Sequence, residues 1–328
     1  MRGLSALEGV LEPARLHLAW HLLLRNERPT VEALRARGAM PSKLEVDALQ
    51  RFDGTASEVV EIVTASDGAR RLVVRLADGQ HVESVVMGDG GVCVSTQVGC
   101  AVGCRFCASG IGGLVRNLSC EEILEQVAHA RALDAGLQRV VYMGIGEPTH
   151  NLDAVLAAAE VLARDGDVHE RSQTLSTVGS THALAKLTAA ATRPSLALSL
   201  HSADDALRRE LLPHAPREKV ADLVAAADAY GRATGREVQY AVALLSGVND
   251  RDEDIDALST LLAGRDGYLN VIPWNGVDGL PFARPSRERA LAFVHALRER
   301  GVFTTLRWSA GEDADAACGQ LRRSRRAI

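Results

Sequence analysis

From residue 91 onward the chain alternates short apolar runs with Ala-rich and Leu-rich stretches, and this alternation limits its fold more than any other feature. Residues 92–98, 140–144, 173–176, 196–201, 238–244, 269–273 and 303–308 have the length and apolar character of strands. Between most of them lie helical stretches, among them 120–135, 152–164, 182–190, 205–212 and 219–234. Apolar strands that alternate with helices imply an α/β fold with a parallel sheet covered by helices, bent into a full or partial (β/α) barrel. In such sheets chemistry gathers at the carboxyl ends of the strands. The polar punctuation falls at those ends: Gly146-Glu147, Ser176-Thr177, Ser199 with His201, and Asn275.

Two smaller patterns precede the alternation. Leu16, Trp20, Leu23 and Leu24 recur at helical spacing, and Val31, Leu34, Leu44 and Leu49 predict two further short helices. His17 and His21 stand four apart, as on a zinc-binding helix, but the Leu-Ala-Trp between them offers no general base. They read as two histidines on a half-buried helix. Residues 58–64, 71–76 and 81–86 are Val-rich and are separated by Ser66-Asp67-Gly68 and Asp78-Gly79. Asp-Gly between apolar strands favours a hairpin, because both residues tolerate positive φ. The expected organisation is a helical region over 1–53, a small antiparallel β region over 54–90, an α/β barrel over 91–310 and a C-terminal segment over 311–328.

The 47% hydrophobic and 24% charged content excludes a wholly disordered or collagenous chain. No apolar run reaches the ~20 residues of a membrane span. Met1 to Val10 lacks a basic stretch followed by an apolar core, which predicts a cytoplasmic protein with no membrane partner. The net charge of −5 excludes a basic surface overall, yet nucleic acid needs only a local positive patch.

Four of the six cysteines, Cys93, Cys100, Cys104 and Cys107, fall within fifteen residues, too clustered for a disulfide framework. Cys100, Cys104 and Cys107 have the spacing C-x3-C-x2-C. A zinc ribbon would need a second Cys-x2-Cys pair, and ferredoxin loops supply four thiolates. Three thiolates on one loop suit three irons of a four-iron cluster and leave the fourth iron open, as a reactive centre requires.

This loop, with Phe106 inside it, resembles that of the radical S-adenosylmethionine (SAM) superfamily. Further motifs narrow the likeness: Cys93-Val-Ser-Thr-Gln-Val-Gly-Cys100, Phe106-Cys-Ala-Ser-Gly110, Arg116-Asn-Leu118, Met143-Gly-Ile-Gly-Glu-Pro148, Leu175-Ser-Thr177, Leu198-Ser-Leu-His201, Gly247-Val-Asn-Asp250, Ile272-Pro-Trp-Asn275 and Ala317-Cys-Gly-Gln-Leu321. In this order they are similar to the radical SAM RNA adenine methyltransferases, which modify adenine carbons of ribosomal and, in some members, transfer RNA.

The resemblance implies a radical SAM partial barrel, a [4Fe-4S] cluster on Cys100, Cys104 and Cys107, and two SAM molecules per turnover. It implies that Gly146 and Glu147 meet the SAM amino group and that Ser176, Ser199, Leu200, His201 and Asn275 complete the SAM site. Cys318 matches the family's methyl-carrying cysteine, Cys93 the thiol that releases the product through a transient disulfide, and Glu83 the acidic proton acceptor. The implied partners are RNA, ribosomal or transfer, and an electron donor such as flavodoxin or ferredoxin. Cys120 matches no role and reads as a structural helix N-terminal residue. The tail from Arg322 to Arg326, with Arg208, Arg209 and Arg284, is a candidate phosphate contact. Two competing readings are a radical SAM enzyme of another reaction type on a small molecule, and an iron–sulfur RNA-binding protein.

Overall fold

A computed structural model describes residues 2–322. Three helices open the chain: α1 (Pro13–Leu24), α2 (Val31–Ala36) and α3 (Lys43–Arg51). The start of α3 is fixed by a capping box, in which Ser42 and Glu45 satisfy each other's backbone N–H. His17 and His21 lie on α1 and both bond Asp165, one to its carboxylate and one to its carbonyl, as half-buried histidines do.

Three antiparallel strands follow: β1 (Glu58–Thr64), β2 (Arg70–Arg75) and β3 (His81–Met87). The glycines of the two expected turns, Gly68 and Gly79, have φ of +87° and +83°, as a tight hairpin demands. These strands do not form a sheet of their own. The last of them pairs antiparallel with β4 (Gly91–Cys93), so they extend the main sheet as a flank.

The expected strand over 92–98 is interrupted. It becomes β4 and β5 (Gln97–Gly99), and β5 pairs with β6 (Leu114–Asn117) in a separate two-stranded ribbon. The break has a cause at Ser95. Its N–H donates to the Gln126 side chain and its hydroxyl to the Glu83 carbonyl, which draws the backbone out of the ladder.

Beyond the ribbon, helices and strands alternate as expected: α4 (Cys120–Leu133), β7 (Arg139–Tyr142), α5 (Leu152–Arg164), β8 (Gln173–Thr177), α6 (Thr181–Ala189), β9 (Ser195–Ser199), α7 (Asp205–Leu211), α8 (Val220–Thr234), β10 (Gln239–Leu244), α9 (Asp252–Leu262), β11 (Tyr268–Pro273), α10 (Arg287–Glu299) and β12 (Thr304–Leu306). The main sheet has the order β1-β2-β3-β4-β7-β8-β9-β10-β11-β12 and is parallel from β4 onward. Its end strands do not pair, so the barrel is partial. One continuous apolar core runs from Leu4 and Trp20 through the sheet to Leu297, so the N-terminal helices share it. Cys120 is the first residue of α4 and packs against this core. Among the described residues no helix is long and apolar enough to cross a membrane.

Candidate active site

The carboxyl ends of the parallel strands open onto one cavity, and the C-terminal segment crosses it. Cys93, Cys100, Cys104, Cys107 and Cys318 all line this cavity. The cysteine loop is fixed from outside. The Trp274 indole N–H donates to the Phe106 carbonyl at 2.8 Å, and the Ala108 N–H donates to the Gly319 carbonyl at 2.7 Å.

Burial pushes the Cys100 thiol up to about 12, and the nearby Cys107 and Glu147 charges act in the same sense. Burial and the other two thiols raise Cys104 well above an ordinary thiol, and burial raises Cys107. Three thiols that resist ionising together suit a cationic group, which replaces their protons with positive charge.

The loop after β7 is pressed onto the chain that follows β4. A Cβ on Gly144 would lie 2.8 Å from the Ser95 nitrogen, and one on Gly146 2.7 Å from the Gln97 Cβ, so both positions demand glycine. Gly146 also has φ of +112°. The next residue, Glu147, is buried, and its N–H donates to the Gln97 side chain. Its Oε1 accepts from the Thr149 N–H and hydroxyl and from the Thr177 hydroxyl, and its Oε2 accepts from the Val178 N–H at 3.0 Å. Neutral donors therefore hold this carboxylate, and Oε2 keeps acceptor capacity for a cation.

Ser176 and Ser199 line the cavity with their hydroxyls 3.2 Å apart. His201 has φ of +61°, and its ring stands edge-on to Phe106 at 4.8 Å. Its Nδ1 accepts from the Ala243 N–H. Burial, helped by the Arg208 charge, pushes it down to about 3, so it is a neutral imidazole with its proton on Nε2. Asn275 donates to the Ser309 hydroxyl and the Cys318 carbonyl, while its Oδ1 is buried with no protein partner. A buried acceptor at a cavity wall fits a ligand that brings donors, as SAM does.

Two expected site residues stand elsewhere. Leu200 is buried in the core and does not line the cavity; its carbonyl accepts from the Arg208 guanidinium. Glu83 lies on β3 outside the cavity lining. Its Oε1 accepts from Arg71 at 2.6 Å and its Oε2 from the Arg322 N–H at 2.7 Å. Arg71 pairs with this carboxylate. Arg208 corrects the phosphate-contact expectation. It is buried and donates to the carbonyls of Val178, Ser199 and Leu200, because those strand-end carbonyls need donors. Arg323 to Arg326 lie outside the described residues.

Cys93 stands at the end of β4. Burial pushes it up to about 12, Cys318 adds to this, and Arg307 opposes it. Burial also raises Cys318, again against Arg307, although its side chain remains open to solvent at the cavity. All six cysteines are free thiols. Arg307 was not among the expected site residues; it follows β12, so the strand-end rule would have found it.

Residues 94–258 match the model of the radical SAM superfamily. The chain belongs to that superfamily. As a radical SAM enzyme it carries a [4Fe-4S] cluster and uses SAM. The three thiols at one cavity and the Asn275 acceptor have the donor chemistry these groups need, while the described residues hold no cluster of side chains already arranged around a metal ion. The protein is 48% identical to a probable RNA methyltransferase of Methylibium petroleiphilum, over 98% of this chain and 90% of that one. It is 46% identical to another from Thiobacillus denitrificans, over 91% of this chain and 82% of that one. A crystal structure of a radical SAM methyltransferase from Sphaerobacter thermophilus superposes with a TM-score of 0.86 at 38% identity, over 98% and 96% of the two chains. Within the superfamily the chain therefore belongs to the methyltransferase family that these relatives form.

Proposed function

We propose that this enzyme methylates an adenine carbon of ribosomal or transfer RNA, C2 in preference to C8, through a methyl group carried on Cys318. One observation supports this above others: Cys318 and Cys93 line the same cavity as Cys100, Cys104 and Cys107, close enough for the charge of one to perturb the other. RNA is the substrate class in the names of the similar proteins.

Cys100, Cys104 and Cys107 hold the cluster. Gly146, Glu147, Ser176, Ser199, His201 and Asn275 surround SAM, and Leu200 supports that wall from the core. The bound cluster and SAM, given one electron by a flavodoxin or ferredoxin, supply a 5′-deoxyadenosyl radical that takes hydrogen from an unactivated methyl group. Cys318 would lose its thiol proton, take a methyl group from one SAM as a thioether, and present that S-methyl carbon for the hydrogen transfer, for which a second SAM would be spent.

The adduct formed when the methyl-derived carbon joins the base would give up its odd electron, which returns to the oxidised cluster, and its ring proton. Cys93 as thiolate then attacks the Cys318 sulfur. A sulfur–sulfur bond forms and the sulfur–carbon bond breaks. Its electron pair stays with the product carbon, which takes a proton. An external thiol reductant returns the disulfide to two thiols.

The test is nucleoside mass spectrometry of RNA from cells with and without the protein, joined to assays of purified variants. A methyladenosine that vanishes with the gene, and a protein–RNA adduct that accumulates in Cys93→Ala, are the expected results. Unchanged RNA in cells lacking the protein overturns the reading.

A further inference from the structure

We propose that Trp308, with Arg284 and Arg287, is a stacking platform for an unpaired nucleotide beside the target base. This inference rests on the RNA reading and extends it to how the RNA is held at the mouth of the cavity.

Trp308 follows β12, at the same end of the sheet as the cavity. Its chain neighbours Arg307, Ser309 and Ala310 line the cavity, whereas Trp308 does not. Its side chain is 42% exposed, while the other two tryptophans, Trp20 and Trp274, are buried at 5% and 6%. Those two have packing roles, and Trp274 also spends its indole N–H on the cysteine loop. The exposure of Trp308 has no such account in the fold.

The Arg284 and Arg287 guanidiniums lie 5.2 and 5.8 Å from its ring centroid, within cation–π range. Arg284 is paired with Glu312, and Glu288 lies beside Arg287. With Arg307, three guanidiniums gather at this rim against these two carboxylates, on a chain whose net charge is −5. A part-exposed indole with two guanidiniums over its ring offers the stacking and cation–π chemistry that holds splayed-out bases in unpaired RNA. A base-paired helix hides those base faces, so the platform selects unpaired segments.

The experiment uses the full chain with its cluster reconstituted. The probes are a fluorescein-labelled RNA hairpin with an adenine-containing loop and a fully paired RNA duplex. Trp308→Ala is expected to weaken hairpin binding about tenfold and Trp308→Phe to stay within about threefold of the parent, as one stacked base implies. Duplex binding and RNA-independent formation of 5′-deoxyadenosine stay unchanged in both. Arg287→Ala lowers the slope of log affinity against log salt by about one, the loss of one phosphate-sized charge contact. Hairpin binding by Trp308→Ala equal to that of the parent overturns the platform and leaves the RNA reading standing. Loss of 5′-deoxyadenosine formation in Trp308→Ala also overturns it, because the residue is then a structural prop. A parent enzyme that binds neither probe overturns the RNA reading and the platform with it.

Discussion

Glu147 and Glu83 are both buried carboxylates on strands or their ends, yet they are satisfied in opposite ways. Around Glu147, at the cavity end of the parallel strands, every protein donor is a neutral hydroxyl or backbone N–H. Its negative charge is solvated by the protein and stays available to a cationic ligand. Glu83, on the antiparallel flank, meets the guanidinium of Arg71, and its charge is spent. The Arg71–Glu83 pair reaches across to the C-terminal segment at two points. Arg71 donates to the carbonyl of Ala314, four residues before Cys318, and Glu83 accepts from the N–H of Arg322, four residues after it. The parallel half thus presents reacting groups, and the flank holds the strap that carries one of them.

The largest expected effect breaks this comparison on the cavity side. Cys318→Ala abolishes RNA methylation while the cluster absorbance and the thermal midpoint stay those of the parent. Methylation assay and thermal melt on one preparation check both halves. Continued methylation removes Cys318 as carrier and leaves the cavity end with only a SAM-cleaving role.

The next effect lies on the flank. Arg71→Met removes the guanidinium that Glu83 meets, and breaking a buried pair costs about 3–5 kcal/mol. Methylation falls with stability, because the strap loses its hold at Ala314. The double variant Arg71→Met with Glu83→Leu recovers most of the stability, since the buried carboxylate goes with the guanidinium. It does not recover methylation, because the Ala314 carbonyl and Arg322 N–H still lack their partners. Denaturant midpoints and turnover of the three proteins separate these outcomes. Full methylation in the double variant means that the strap positions itself.

How much of this was legible in the sequence depends on the range of the forces concerned. The cysteine loop, Gly146-Glu147, Ser176, Ser199, His201 and Asn275 were legible because they sit at strand ends within short motifs. The break at Ser95 was not, because Val92, Val94 and Val98 keep the apolar run going. It comes from Gln126 and the Gly144–Gly146 loop, both distant in sequence. Arg208 beside Arg209 reads as an exposed basic pair until the fold shows three carbonyls around the first. The Arg71–Glu83 pair was half legible. The Asp78-Gly79 hairpin sets Glu83 opposite Val73, and Arg71 is then its diagonal neighbour on the same face.

The smallest effect sharpens the comparison at the place where the flank leaves the N-terminal helices. Glu125 on α4 is buried and accepts from the N–H groups of Ala56 and Ser57 and from the Ser57 hydroxyl, which also meets His129. Burial, with a smaller contribution from Glu121, pushes Glu125 up to about 7 against these three donors. Below the unfolded value of 4.5 the group is protonated in both states, and its contribution to stability is fully present. As the pH rises from about 4.5 to about 7 this group ionises first in the unfolded chain, and its own contribution to stability falls by roughly 3 kcal/mol before levelling off. Glu125→Gln flattens this slope, while methylation at a fixed pH stays at the parent level, because the group touches neither the cavity nor the strap. Denaturant unfolding of both proteins between pH 4 and 8 measures the slope. Buried His129 and His201, whose pKa values burial lowers, contribute the opposite slope in this window, so the difference between the parent and Glu125→Gln curves is the readout. A difference that rises with pH means that the three donors outweigh burial at Glu125.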